Sequence, residues 1–213
     1  IPKRDWSSDV CSSDLEIAES FGRLAKHAVT LERASAVPKT MDDAVRIALS
    51  GRPGPAVIAV GEDLLDERFV PAGLPVARRT GPPPPDPDDL RAVLRLLTDA
   101  ERPLILAGAG VLRARATADL VRLAEILEVP VIAAWRRPDV FPNDHPLYLG
   151  QSGYGAPASV RDRLRAADAL LVLGCRLNEP TSLEYGVPMD GTQWAHVDLE
   201  PRRAHAGLRA PNL

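Results

Sequence analysis

Residues that could hold a nucleotide follow several apolar runs of this sequence. Gly108 and Gly110 come directly after the run 104–107, and Arg176 follows a later run. A glycine-rich turn between a strand and a helix lets the backbone approach a phosphate near the helix N-terminus, and the planar guanidinium of arginine suits a pyrophosphate. The alternatives are a tight turn that needs small residues and an ion pair of Arg176 with Glu179.

Two further positions complete this candidate nucleotide-binding set. Gly153 lies in a second glycine-rich loop, and Asp198 ends the last apolar run, where its carboxylate could accept ribose hydroxyls or a loop hydrogen bond. The dinucleotide fingerprint is incomplete, because Arg113 stands where its third glycine would be. The histidines are scattered without metal-ligand spacing, and Cys175 ends an apolar strand, so we predict no metal site and a core position for this cysteine.

The elements that must position these residues alternate between strands and helices. Apolar strands are predicted at residues 56–60, 104–107, 129–134, 169–173 and near 195–198. Helices with one apolar face lie between them, whereas the stretch from Trp135 to Ala156 is predicted as a long loop. The pattern predicts an α/β fold with a doubly wound parallel sheet. In such a sheet ligands bind outside the carboxyl ends of the strands, where all five candidate residues stand.

Shifts in composition, abrupt chain ends and the resemblance described below divide the chain into four segments. Residues 1–15 include DWSSDVCSSDL, which looks like the translation of a sequencing-library adapter; a natural disordered tail is the alternative. Residues 16–70 are predicted to be the remainder of a truncated α/β domain, and the proline-rich residues 71–86 an extended connector. Residues 87–213 are expected to form a second α/β domain that is truncated at its C-terminal end.

Composition excludes several classes of protein. The 213 residues are 45% hydrophobic with a net charge of −3, which supports a buried core and argues against a nucleic-acid partner. No apolar run approaches the roughly 20 residues that span a bilayer, so no membrane association is expected. The two cysteines cannot form a disulfide framework, and we expect a cytoplasmic protein.

Five motifs, in order, resemble the thiamine-diphosphate-dependent enzymes of the acetolactate synthase type. The similarity extends over residues 16–213 and includes the SGRPGPV and RPLILAGGGV motifs of that family. The matching stretches are residues 50–58 (SGRPGPAVI), 102–111 (RPLILAGAGV), 141–150 (FPNDHPLYLG), 167–177 (ADALLVLGCRL) and 195–201 (AHVDLEP). The resemblance implies the end of a pyrimidine-binding domain followed by most of a Rossmann-like central domain.

The resemblance also implies which cofactors to expect. Thiamine diphosphate and Mg²⁺ would serve the parent protein, but the family's catalytic glutamate and its GDG…N segment match nothing here, so we predict no catalytic residue in this chain. In the family the central domain holds FAD, another adenine nucleotide or nothing. The positions that match its nucleotide-contacting loops are Gly108, Gly110, Gly153, Arg176 and Asp198.

The main hypothesis is therefore an inactive fragment of a thiamine-diphosphate-dependent decarboxylase or carboligase. By resemblance, the parent would act on a small 2-oxo acid and form a homodimer or homotetramer. Departures from the acetolactate synthase pattern, such as residues 177–180 (LNEP) in place of FDDR, indicate a separate branch. The alternatives are a stand-alone nucleotide-binding module, for FAD or NAD, and a structural α/β domain that binds no nucleotide.

Overall fold

The structure, a computed structural model, describes residues 17–68, 70 and 84–199. The chain divides into two compact units, Ile1–Pro82 and Pro83–Leu213. The adapter-like segment and most of the predicted connector lie outside the described residues, as do residues 200–213 with the end of the last motif. The two units are therefore described one at a time.

The first unit contains a two-stranded parallel sheet with short helices. Its elements are α1 (Ile17–Phe21), β1 (His27–Leu31), a 3-10 turn (Ala34–Ala36), α2 (Val37–Leu49), β2 (Ala56–Val60) and α3 (Glu62–Leu65). The strands pair in register from His27 with Ala56 to Leu31 with Val60. Parallel strands need a crossover connection, and α2 supplies it.

The sequence of α2 favours helix boundaries at both of its ends. Its Pro38 lies in the first turn, where a proline ring fits, and Gly51 follows its end with a φ of +47°. Of its apolar residues at helical spacing, Ala44 is buried, whereas Met41, Val45 and Leu49 are 50%, 40% and 43% exposed. This unit therefore buries little of its apolar surface within the described residues.

The second unit carries the five-stranded sheet. Its helices are α4 (Pro87–Thr98), α5 (Ala109–Arg113), α6 (Thr117–Leu127) and α7 (Ala158–Ala166). Its strands are β3 (Pro103–Ala107), β4 (Val131–Ala133), β5 (Tyr148–Gln151), β6 (Ala169–Leu173) and β7 (Gln193–Val197). The strand order is β5-β4-β3-β6-β7, and every neighbouring pair is parallel. The predicted doubly wound parallel sheet is confirmed.

Both faces of this sheet are buried, because successive side chains of a strand point to opposite sides. On β3, Leu104 and Leu106 pack into a cluster that includes Val160 of α7, with the connection between β6 and β7 on the same face. Ile105 and Ala107 pack into the opposite cluster, which draws on α4, α5 and α6. A strand covered twice must be apolar at every position, which is why the runs are continuous.

The structure corrects the prediction of a long loop between Trp135 and Ala156. That stretch contains a 3-10 turn at Pro138–Val140 and the edge strand β5. The sequence of this strand contains no apolar run, because the strand is only half-buried and includes a glycine and a glutamine. Its Tyr148 is partly buried, and this burial raises the pKa of the phenol.

Polar contacts fix the edge of the sheet opposite the candidate site. Asp168, just before β6, accepts hydrogen bonds from the amides of Arg102 at 2.8 Å and Glu101 at 3.0 Å. Burial raises the pKa of the Asp168 carboxyl, but these amides outweigh it and the pKa is lowered. At the start of α4 the Asp86 side chain caps the helix, since its carboxylate accepts a hydrogen bond from the Asp88 amide at 2.7 Å.

Candidate functional site

The candidate site lies where the chain reverses its direction across the sheet. From β3 the chain continues to β4 and β5 on one side, and then returns to β6 and β7 on the other. The reversal point is thus between β3 and β6. At the carboxyl ends of these two strands stand the loops that begin at Gly108 and Gly174, and a crevice of this kind is where doubly wound sheets bind ligands.

The glycines of these two loops bring one backbone into contact with the other. A Cβ on Gly108 would lie 2.6 Å from the Cα of Cys175, and one on Gly110 would lie 2.5 Å from the Cα of Gly174. Gly174 itself has a φ of +55°, which favours glycine. This part of the site therefore requires glycine irrespective of any ligand.

The amides of the two candidate glycines are already engaged. Gly108 donates to the carbonyl oxygen of Leu173 at 2.9 Å, and Gly110 donates to that of Gly174 at 2.8 Å. A phosphate cradle built from these two N–H groups does not fit the structure. A contact of a nucleotide with other atoms of Gly108 and Gly110 stays a prediction.

Arg176 and Asp198 follow neighbouring strands at the same edge. The Arg176 side chain is exposed, and among the ion pairs of the described residues none joins it to Glu179. Asp198 is exposed; one carboxylate oxygen accepts the Leu199 amide at 2.7 Å and the other lies 3.6 Å from Nε2 of His196. A guanidinium and a carboxylate that follow neighbouring strands suit a ligand with both an anionic group and hydroxyls.

Contacts of Cys175 and His196 stabilise the part of the chain that joins Arg176 to Asp198. Cys175 is buried, as predicted, and the protonated Nε2 of His196 donates a hydrogen bond to the carbonyl oxygen of Cys175 at 3.0 Å. The His196 ring also stacks on Trp194 with the ring centroids 6.2 Å apart. These contacts give His196 a structural role in the loop.

Gly153 lies on the other side of the crevice, after β5. Its φ is +111°, and a Cβ there would lie 2.3 Å from Cδ1 of Trp135. Four strand spacings separate the ends of β5 and β7, which is about 19 Å. The structure thus brings Gly108, Gly110 and Arg176 to one crevice and places Gly153 at the far end of the same edge.

Three residues at that far end were not singled out from the sequence. Trp135 and Tyr154 meet edge to face with their centroids 5.5 Å apart, and the guanidinium carbon of Arg136 lies 4.4 Å above the Trp135 ring. The usable signal was their position, because polar or aromatic residues directly after a strand of a doubly wound sheet reach its ligand-binding edge.

A buried polar contact ties this end to the connection between β6 and β7. The Ser152 hydroxyl donates to the carbonyl oxygen of Thr181 at 2.7 Å, and the Thr181 amide donates to Oδ1 of Asn178 at 3.1 Å. Ser152 and Thr181 are both buried. The loops after β5 and β6 are thereby held to each other, which fixes the width of the edge between them.

Comparison with known proteins identifies the family. Residues 90–210 match the family model described as thiamine pyrophosphate enzyme, central domain, which is more than half of the chain. The chain belongs to the thiamine pyrophosphate enzyme family. The resemblance inferred from the five motifs is confirmed, and the five-stranded sheet is the central domain of this family.

Among related thiamine pyrophosphate enzymes, the chain is 29% identical over 196 residues to the probable acetolactate synthase large subunit of Methanocaldococcus jannaschii, covering 89% of this chain and 33% of that protein. It is 36% identical over 163 residues to the sulfoacetaldehyde acetyltransferase of Rhodobacter capsulatus, covering 74% of this chain and 27% of that protein. The chain thus spans about a third of the length of the curated relatives it matches.

A solved thiamine pyrophosphate enzyme has the same fold. The benzoylformate decarboxylase of Polynucleobacter necessarius superposes with a TM-score of 0.66 at 26% identity, covering 83% of this chain and 33% of that chain.

Within residues 17–68, 70 and 84–199, no helix is both long and apolar enough to cross a membrane.

Proposed function

We propose that this chain supplies the central domain, and the end of the preceding domain, of a longer thiamine-diphosphate-dependent enzyme that acts on a 2-oxo acid. The observation that carries the proposal is the central-domain match over residues 90–210, combined with coverage of only 33% of an acetolactate synthase large subunit. The expectations of a cytoplasmic location and of a homodimer or homotetramer remain predictions.

The thiamine chemistry is assigned to parts of the parent outside this chain. When bound, thiamine diphosphate stabilises the carbanion that a 2-oxo acid leaves on losing CO₂. Within the described residues no three His, Cys, Asp or Glu side chains are grouped to hold a metal ion, and no Mg²⁺ site is proposed among them. No catalytic step is therefore assigned to this chain.

The first prediction concerns activity. The purified 213-residue chain should release no CO₂ from pyruvate in the presence of thiamine diphosphate and Mg²⁺, because its catalytic groups would lie elsewhere. The complete parent, read from the neighbouring DNA and assayed in parallel, should do so. Turnover by the isolated chain would contradict the division of roles, and a parent active on sulfoacetaldehyde but not on pyruvate would favour the chemistry named for the 36% identical relative.

The described edge of the sheet is proposed to hold an adenine nucleotide, FAD being one candidate. Arg176 would bind the pyrophosphate and Asp198 the ribose hydroxyls, since both are exposed at the ends of neighbouring strands. Gly108, Gly110 and Gly153 would shape the edge without donating a phosphate cradle. The length of about 19 Å from the end of β5 to the end of β7 leaves room for an extended dinucleotide.

The second prediction tests this nucleotide site. The variant Arg176→Ala should weaken ADP binding to the full chain about tenfold, the loss expected for one charge-assisted contact to a phosphate. Calorimetric titration measures the dissociation constant. The variant Arg163→Ala, which removes an exposed arginine of α7 instead, should bind ADP as the parent chain does. Equal losses in both variants, or no ADP binding by the chain or the complete parent, would favour a structural domain without nucleotide.

A further inference from the structure

A histidine joins helix α6 to the start of strand β5 through both of its ring nitrogens. Nδ1 of His145 accepts a hydrogen bond from the Leu147 amide at 3.2 Å, and Nε2 lies 3.3 Å from a carboxylate oxygen of Glu125 in α6. A ring nitrogen that accepts an amide N–H carries no proton of its own, so the proton of the neutral ring is on Nε2, which donates it to Glu125. Both contacts therefore specify the same neutral tautomer.

Aromatic packing holds the His145 ring in this position. The side chain is only 17% exposed, and its ring meets the buried Phe141 edge to face with the centroids 5.0 Å apart. Phe141 in turn stacks on Tyr148, the first residue of β5, at a centroid distance of 6.3 Å. The ring nitrogens are thereby kept against their partners in α6 and at the start of β5.

Leu147 connects the histidine ring to the sheet. Its amide donates to His145, and its carbonyl oxygen accepts the Val131 amide at 2.8 Å, where β4 begins. The pairing of β4 with β5 starts at the next residue and shifts its register between Val131 and Ile132. Because β5 is an edge strand with β4 as its neighbour in the sheet, the position of its first residues depends on few contacts.

Glu125 is the charged group that faces the ring. Its carboxylate is 55% exposed, and among the ion pairs of the described residues no other group is joined to His145. Asp144, the preceding residue of the same loop, is exposed, and burial raises the pKa of the Tyr148 phenol, which keeps that group neutral. A charged His145 ring would therefore find an anionic partner in α6 and none at the start of β5.

Protonation changes which of the two contacts the ring can make. Histidine is the side chain that gains a charge between about pH 8 and pH 5, and both of its nitrogens are then donors. An N–H on Nδ1 would face the N–H of Leu147, and two donors cannot share a hydrogen bond. We propose that His145 is a pH-dependent latch on β5: the neutral ring ties the start of the strand to α6, whereas the charged ring stays with Glu125 and releases Leu147.

This latch is independent of the proposed nucleotide contacts. His145 and Leu147 precede β5, whereas Gly153 follows it, so the latch lies at the opposite end of the strand. The device needs no ligand and no second domain of the parent protein. It can therefore be tested on the chain alone, whatever the outcome of the ADP titration.

Amide hydrogen exchange of the full chain at about pH 8 and about pH 5.5 tests the latch. The protection of the Leu147 amide should fall about tenfold on acidification, relative to that of Ile105 in β3, because one hydrogen bond is lost. The Ile105 amide donates to the Pro130 carbonyl at 3.0 Å, and dividing by its protection removes the effect of pH on the stability of the whole unit. A ratio that stays constant would overturn the proposal.

The titration of the ring identifies the histidine that is responsible. The NMR signal of the His145 ring proton on Cε1 should shift over the same pH range in which Leu147 loses its protection. His196 is a second histidine with a nearby carboxylate, since its Nε2 lies 3.6 Å from Asp198. Loss of Leu147 protection that follows the His196 signal instead would contradict the latch.

Two variants separate the acceptor from the charge. His145→Asn offers a side-chain oxygen to the amide two residues on, as in an Asx turn, and does not titrate, so its Leu147 ratio should be the same at both pH values. His145→Phe keeps an aromatic contact with Phe141 but has no acceptor, so Leu147 should be poorly protected at both. A loss on acidification in His145→Asn as large as in the parent chain, or full protection at about pH 8 in His145→Phe, would show that His145 is not the latch.

Discussion

The carboxyl edge of the sheet is packed so tightly at Gly108, Gly110 and Gly174 that one added methyl group would clash with main-chain atoms. The loops after β3 and β6 touch through main-chain atoms. Two amides of the first loop donate hydrogen bonds to the carbonyl oxygens of Leu173 and Gly174. Main-chain contacts cannot be relieved by a change of rotamer. The sterically required glycines therefore mark a rigid part of the site rather than a mobile one.

Gly110 provides the sharpest test of this close contact. Alanine is the better helix former, so Gly110→Ala in α5 would stabilise the protein if space were available. Because its Cβ would lie 2.5 Å from the Cα of Gly174, we expect instead a loss of about 2 kcal/mol in the free energy of unfolding. Urea denaturation measures the change.

Gly155→Ala is the matched control for this prediction. A Cβ on Gly155 meets no atom within 4 Å, although its φ is +77°. Its cost should be limited to the left-handed backbone, about 1 kcal/mol. If Gly110→Ala were as stable as the parent chain, the contact between the two loops would be looser than described.

At the scale of elements, helix α6 ends in an unfavourable way. Its C-terminal cap is Glu128, with a φ of +52°, a conformation that glycine adopts at the ends of many helices. A carboxylate at this end also faces the negative pole of the helix dipole. Both effects make glutamate unfavourable at this position, so replacing Glu128 should stabilise the helix.

Glu128→Gly is accordingly expected to stabilise the second unit by about 1 kcal/mol, through relief of the backbone and loss of the repulsive charge. Arg122→Gly, an exposed position inside the same helix, should destabilise it by about 1 kcal/mol. Thermal or urea unfolding compares the two. The explanation would be wrong if both glycines shifted stability in the same direction.

How far each element could be predicted depends on its burial. Strands β2 and β6 match the predicted ranges because they are uninterrupted apolar runs. Strand β5 was missed because a half-buried edge strand with a glycine has no apolar run. The contact of Trp135 with Gly153 depends on a φ of +111°, which residue types alone do not specify.

The whole molecule combines two units with very different cores. In the second unit, residues such as Ile105, Leu106 and Val172 are fully buried, and clusters cover both faces of the sheet. Within the described residues of the first unit, the buried hydrophobic side chains are Leu31, Ala34, Ala44 and Leu64. Apolar burial is the main stabilising contribution to folding, so the two units should differ in stability.

Amide hydrogen exchange tests this difference in the intact chain. The amides of β1 and β2 should exchange at least about a hundredfold faster than those of β3 and β6, because a smaller core allows opening at a lower free energy. Measurement at two pH values establishes that exchange reports the opening equilibrium. Equal protection in the two sheets would show that the first unit is stabilised by something beyond its own buried residues.

The backbone contact between Gly110 and Gly174 also has a consequence for engineering. The loops after β3 and β6 are separated by more than 60 positions in sequence, yet the conformation of each is complementary to the other. A segment transplanted from a relative would arrive without its counterpart if only one of them were exchanged. Chimeric enzymes made from this chain should therefore exchange both loops together, or place their crossover points so that residues 108–110 and 174–176 come from the same parent.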